Sequence, residues 1–323
     1  MSKTLHLLVA ALVGSSLLLT SCSSETTESI NVDVFLYDIS GSGDSAGFSY
    51  FDRQNQLRAK FEESFRSNTA LYFDFVRKDF GRQQISSLIP ASFFVGLNYE
   101  LDREIHDEVL KKDTKDGLQK VWANLLQNQG LADSMDCTSQ LTPKITDASG
   151  GNLPEASSRS LAGDFCSTAR AGLKVINSIP VVAEAALDSG IGSGIQGAID
   201  RAISKIESEE IRILRRSPEV VLVPRIIVTS DFIESTPNFN LLPELEKMTD
   251  PNQACDLAIA QVGSTEPTAL VFDFESDGLG SIRGPRMTPL VREALLQYWS
   301  CWLDSRGISD PNLGDRGIDW ASL

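Results

Sequence analysis

Histidine is nearly absent from this chain of 323 residues; only His6 and His106 occur. None of its five cysteines forms a Cys-x-x-Cys pair, so a zinc site of the usual Cys/His spacing is excluded. His106 stands among Arg103, Glu104, Asp107 and Glu108, a solvated charged stretch, with no second histidine for a proton relay. Positive charge is also scarce. Lys and Arg number 29 against 44 Asp and Glu, a net charge of -15. That balance argues against nucleic acid and against adhesion to anionic lipid head groups. Beyond the amino-terminal leader no apolar run is long enough to cross a bilayer. No G-x-S-x-G surrounds Ser40 or Ser193. Gly192 to Gly197 does match G-x-G-x-x-G, but Val181 to Leu187 before it reads as helix, where a dinucleotide fingerprint needs a strand.

What is present begins with a targeting segment, residues 1–21. Lys3 supplies the positive region and Leu5 to Leu19 the apolar one. Leu19-Thr20-Ser21-Cys22 resembles the cleavage box of bacterial lipoproteins. The resemblance implies a Cys22 carrying acyl chains, palmitate-like, that hold the chain on a membrane. In such lipoproteins a residue other than Asp after the cysteine, here Ser23, favours sorting to the outer membrane of the cell envelope, so the resemblance implies that location. Residues 22–29 then form the lipidated cysteine and a polar tether. About 295 residues remain, enough for one large domain or two modest ones.

Four cysteines follow Cys22, namely Cys137, Cys166, Cys255 and Cys301. In an oxidising compartment they suit two disulfides, for which three connectivities exist. The pairing Cys137–Cys166 with Cys255–Cys301 is favoured, because the first closes a polar loop and the second ties a late loop to the last helix.

Strand and helix patterns alternate. Strands are expected at 31–39, 70–76, 91–99, 219–228 and 268–274. Helices are expected at 52–67, 102–127, 165–187 with a kink or break at Pro180, 196–212, 241–248, 252–262 and 288–305. Residues 130–161, rich in Ser, Thr, Asp, Gly and Pro, read as a loop insertion, and 308–323 as a tail. The alternation predicts an α/β fold of three layers, doubly wound around a mostly parallel sheet. Sites in such sheets form outside the carboxyl ends of the strands, where the strand order reverses.

Two acidic tips meet that description. Asp38-Ile39-Ser40-Gly41-Ser42 follows the apolar run Val32 to Tyr37, and Thr229-Ser230-Asp231 follows Val220 to Val228. One carboxylate with hydroxyls two and four residues on, joined by a second strand-end carboxylate, makes an oxygen set suited to Mg2+ or Mn2+. The alternative readings are a metal-free Asx-type turn at Asp38 and a helix N-cap at Asp231.

Val34 to Ser42, Gly192 to Ile199 and Ile226 to Asp231, in that order, resemble the three motifs of a von Willebrand factor type A domain, over roughly residues 30–307. The resemblance implies a metal-ion-dependent adhesion site built from Asp38, Ser40, Ser42, Ser193 and Asp231. It implies capture of a protein partner whose acidic residue completes the metal shell. The chain departs from the family pattern in three places. Ser193 replaces the usual Thr, with Ser189 as its rival for the same role. Phe232 stands after Asp231 where Gly is common. The gap between the first two motifs is long. Two other classes share these residues: a metal-free assembly scaffold, and a metal-dependent hydrolase needing a further acid or base, for which Asp44 and Glu234 are the candidates. The adhesion reading is not that of an enzyme.

Overall fold

The computed structural model describes residues 28–39, 50–76, 85–187, 193–262, 265–277 and 287–313. The leader, Cys22 and most of the tether lie outside the described residues, as do Ser40, Ser42, Asp44, Ser189 and the last part of the tail.

β1 (Glu28–Asp38) is the middle strand of a five-stranded sheet. It pairs in parallel with β2 (Thr69–Val76), with Phe35 opposite Phe73. On its other edge it pairs in parallel with β4 (Val220–Thr229), with Phe35 opposite Ile227. β5 (Asp273–Asp277) adds in parallel to β4. β3 (Ser86–Ile89) is a short antiparallel edge on β2. The order is β3-β2-β1-β4-β5, so the direction of strand addition reverses between β1 and β4. Side chains alternate between the faces of a strand, yet β2 is buried at every position and β1 from Val32 to Asp38. Such unbroken burial requires cover on both faces, the mark of an α/β sheet.

Helices provide that cover. α1 (Tyr50–Ser67) joins β1 to β2 and presents Phe61 and Phe65. These meet Trp122 of α3 (Glu108–Gln127) and Phe165 of α6 (Glu155–Leu187), edge to face at 5.4 Å in each pair. α7 (Ile195–Leu214) buries Ile195, Ala198, Ile199, Ala202, Ile203 and Ile206, one stripe at helical spacing, and packs against β1, β2 and β4. α8 (Leu241–Glu246) and α9 (Gln253–Val262) lead to β5 and pack on α10 (Pro289–Ser305). α10 starts at Thr288, whose hydroxyl accepts the Val291 amide, and Pro289 sits in its first turn.

Several expectations need correction. Residues 91–99 are not a strand but most of α2 (Ala91–Glu104). Phe93, Phe94 and Tyr99 favour strands locally, but Ala91, Phe94, Leu97 and Leu101 are buried at helical spacing, and Pro90 stands in extended backbone just before the helix. Residues 130–161 are not a loop. They hold most of α4 (Gln129–Asp133), all of α5 (Cys137–Ala148) and the start of α6. In α5, Thr142 and Thr146 bond back to the carbonyls of Thr138 and Thr142, so hydroxyl-rich sequence is compatible with helix. The glycine signal there marks only the helix end, where Gly150 and Gly151 adopt φ of 60° and 79°. The last strand is displaced from 268–274 to β5, with Thr268 engaged instead by the backbone of Arg306. α6 also runs through Pro180 as one helix.

Cys137 and Cys166 lie at bonding distance with Cα atoms 6.1 Å apart, and Cys255 and Cys301 with Cα atoms 5.3 Å apart, so the structure brings together the two favoured pairs. Among the described residues no helix is long and apolar enough to cross a membrane.

Charge inside the sheet is paired. Asp33 on β1 receives two hydrogen bonds from Arg225 on β4, at 3.0 and 2.8 Å, and the same guanidinium reaches Glu275 on β5. The two-pronged geometry holds three strands in register. Asp33→Ala, which takes the buried carboxylate away from a half-buried guanidinium, is expected to lower unfolding free energy by about 2 kcal/mol in urea titrations; a loss within about 0.5 kcal/mol would show the triad to be incidental.

Candidate functional site

The tertiary structure gathers the site around one carboxylate. Asp38 ends β1 and is buried. Its Oδ2 accepts the Ser193 hydroxyl at 2.8 Å and the Ser230 hydroxyl at 2.6 Å. These donors come from 155 and 192 residues away in sequence. The register explains the second. Tyr37 is opposite Thr229, so Asp38 and Ser230 are the next residues of adjacent parallel strands. Ser193 arrives on the segment entering α7. Of the two serines proposed for that role, Ser193 is brought to Asp38 and Ser189 lies outside the described residues.

Asp231 is buried directly after Ser230, and its Oδ1 accepts the Ile233 amide at 2.9 Å, an Asx-type turn. Asp231 is therefore not the cap of a long helix. The Ser230 hydroxyl accepts the Phe232 amide while donating to Asp38. Ser230 belongs to the acidic tip Thr229-Ser230-Asp231 but is not among the ligands that the resemblance implies. The signal for it was present, because a residue following a core strand beside β1 must stand next to Asp38.

Phe232 has φ of 59°, the left-handed region. Glycine adopts that region without penalty, and here a phenylalanine holds it. Packing supplies the restraint. The Phe232 ring is fully buried, meets Trp299 edge to face at 5.4 Å, and its carbonyl accepts the Trp299 indole N–H at 2.8 Å.

Glu234, the candidate base of a hydrolase, is committed elsewhere. Its Oε2 accepts the Ile195 and Gln196 amides at the start of α7, at 2.7 and 3.1 Å. Burial pushes its carboxyl up to about 7, against the pull of those two amides, and the nearby Asp38 charge adds to the rise.

Among the described residues no three His, Cys, Asp or Glu side chains cluster as metal ligands. The oxygens that do converge are of another kind: the Ser193 and Ser230 hydroxyls meet on the buried Asp38 carboxylate, and Asp231, also buried, is the residue after Ser230. All are hard donors and few carry charge, which fits Mg2+ or Mn2+ rather than a soft metal. Asp38, Ser193 and Asp231 could hold such an ion, with Ser230 orienting the Asp38 carboxylate.

Neither family models, nor curated proteins, nor solved structures provide a match to this chain.

Two outcomes follow from this geometry. Phe232→Ala is expected to cost about 4 kcal/mol through the lost ring, and Phe232→Gly about 1 kcal/mol less because the left-handed backbone is relieved. Denaturant titrations giving the opposite order would show that the turn carries no strain. For Glu234 the folded carboxyl titrates above its ordinary 4.5. Its stabilising contribution is therefore complete below pH 4.5 and lost as pH rises to about 7, by roughly 3 kcal/mol. Glu234→Gln should remove that part of the pH dependence; parallel wild-type and variant curves of stability between pH 4.5 and 7.5 would refute it.

Proposed function

We propose that this chain is a lipid-anchored protein of the bacterial cell envelope whose domain is of the von Willebrand factor A type. In this reading it captures a protein partner through Mg2+ or Mn2+ held by Asp38, Ser40, Ser42, Ser193 and Asp231. The observation that carries the reading is the convergence of Ser193 and Ser230 on Asp38 at the carboxyl ends of β1 and β4. That is the point where the strand order reverses, the place where open α/β sheets bind ligands. When bound, the cation would supply an electrophilic centre for an acidic side chain of the partner.

The layout of β1 supports the same reading. Cys22 lies just before Glu28 in sequence, and Asp38 ends the strand that Glu28 begins. Eleven residues of parallel strand span roughly 36 Å. An anchor at one end of β1 leaves the site at the other end, turned toward a partner and away from the lipid to which Cys22 is attached.

A metal-free assembly scaffold is the second reading. It is favoured by one observation: the hydroxyls on Asp38 and the Ile233 amide on Asp231 already form a satisfied hydrogen-bond network without an ion.

The two readings separate in the melting temperature of the full-length chain in detergent with Mg2+, Mn2+ or chelator, beside Asp38→Ala. An ion at about a hundred times its dissociation constant adds ~2.7 kcal/mol, a rise of a few degrees at this size. The adhesion reading expects that rise in wild type and its loss in Asp38→Ala. Equal melting with both ions and with chelator would favour the scaffold.

A further inference from the structure

We infer that Glu234 is the positioning residue that sets the Ser193 hydroxyl against Asp38. α7 is 20 residues long, and its N-cap, Gly194, has no side chain to satisfy the first amides of the helix. Glu234 fills that role from 39 residues away in sequence, accepting the Ile195 amide at 2.7 Å and the Gln196 amide at 3.1 Å. A carboxylate at this point also meets the positive end of the helix dipole. It is 1% exposed, so water does not compete for those amides.

The same glutamate is anchored in turn. Its carbonyl accepts the Leu241 amide at 2.9 Å, which ties it to the start of α8. Its neighbour Ser235 donates its amide to the Ser193 carbonyl at 2.8 Å. Ser193 is thus held from three sides. Its hydroxyl is on Asp38, its carbonyl is on Ser235, and the two amides that follow Gly194 are on Glu234. Gln196 extends the arrangement by donating to the Tyr298 hydroxyl of α10 at 2.7 Å. The loop after β4 therefore carries two elements: Ser230 and Asp231 at the site, and a remote cap that fixes the segment bearing Ser193. The chemistry requires an acceptor oxygen at the end of a side chain of glutamate length; glutamine supplies one, and aspartate falls short.

The metal arm of the test rests on the proposed function, and the other arm does not. In chelator, hydrogen exchange of the Ser235 amide reports the bond to Ser193 directly; Mn2+ affinity reports the consequence at the site. Full-length wild type is compared with Glu234→Ala, Glu234→Asp, Glu234→Gln and Asp107→Ala. Asp107 is a control of the same kind, a carboxylate accepting two first-turn amides on α3. The expected result is that Glu234→Ala raises Ser235 exchange and weakens Mn2+ binding, each by about tenfold or more. Glu234→Asp, which keeps the charge and loses the reach, should move both in the same direction and serves if the alanine variant does not fold. Glu234→Gln and Asp107→Ala should leave both near wild type. Unchanged Ser235 exchange in Glu234→Ala, or in Glu234→Asp where that variant stands in, would overturn the inference. So would an equal rise in Asp107→Ala, which would mean general loosening. If wild type binds no Mn2+, the proposed function fails while Ser235 exchange still decides the role of Glu234.

Discussion

The parallel register of β1 between β2 and β4 is the constraint on which the rest of the molecule depends. With Tyr37 opposite Thr229, Asp38 and Ser230 leave the sheet side by side. A slip of one residue would turn every side chain of β1 to the other face. It would part Asp38 from Ser230, and Asp33 from Arg225. The ion pair is thus a polar lock on register in a strand otherwise held by nonspecific apolar burial. Its two members, Asp33 and Arg225, each lie five residues before a site residue, Asp38 on β1 and Ser230 after β4, and Glu275 joins them from β5.

Above that lock, the site is made of turns that the isolated chain would not hold. The left-handed Phe232 is kept by its buried ring and by the Trp299 indole, which belongs to the last helix. The first turn of α7 is kept by Glu234, which belongs to the loop after β4. Each turn is thus stabilised by an element remote in sequence, and its geometry is a property of the packed domain. Strain of this kind persists only where the surroundings over-determine it.

The two buried acids here, Asp38 and Glu234, take different partners. Asp38 accepts two hydroxyls on one carboxylate oxygen. Glu234 accepts two amides yet is still driven up to about 7, because desolvation outweighs what those bonds return. Two buried acids at one end of a sheet therefore differ in what they do: one gathers oxygens, the other fastens a helix.

The amino-acid sequence by itself determined the strands whose burial is two-sided. β1, β2 and the second half of β4 are nearly continuous apolar runs, and such runs announce a covered parallel sheet whatever surrounds them. It also placed Asp38 and Asp231 at strand ends and marked the segment around Ser193. It misread α2, since aromatic residues score as strand while their buried spacing is helical. It misread α4 and α5, since a helix with a solvated outer face and bonded-back threonines resembles a loop in composition alone. Only the tertiary structure decided that Ser193 and Ser230 share one oxygen of Asp38, that Glu234 is a cap, and that Trp299 restrains Phe232. Each is a contact between segments far apart in sequence, and local pattern carries no information on which distant partner will stand within hydrogen-bond reach.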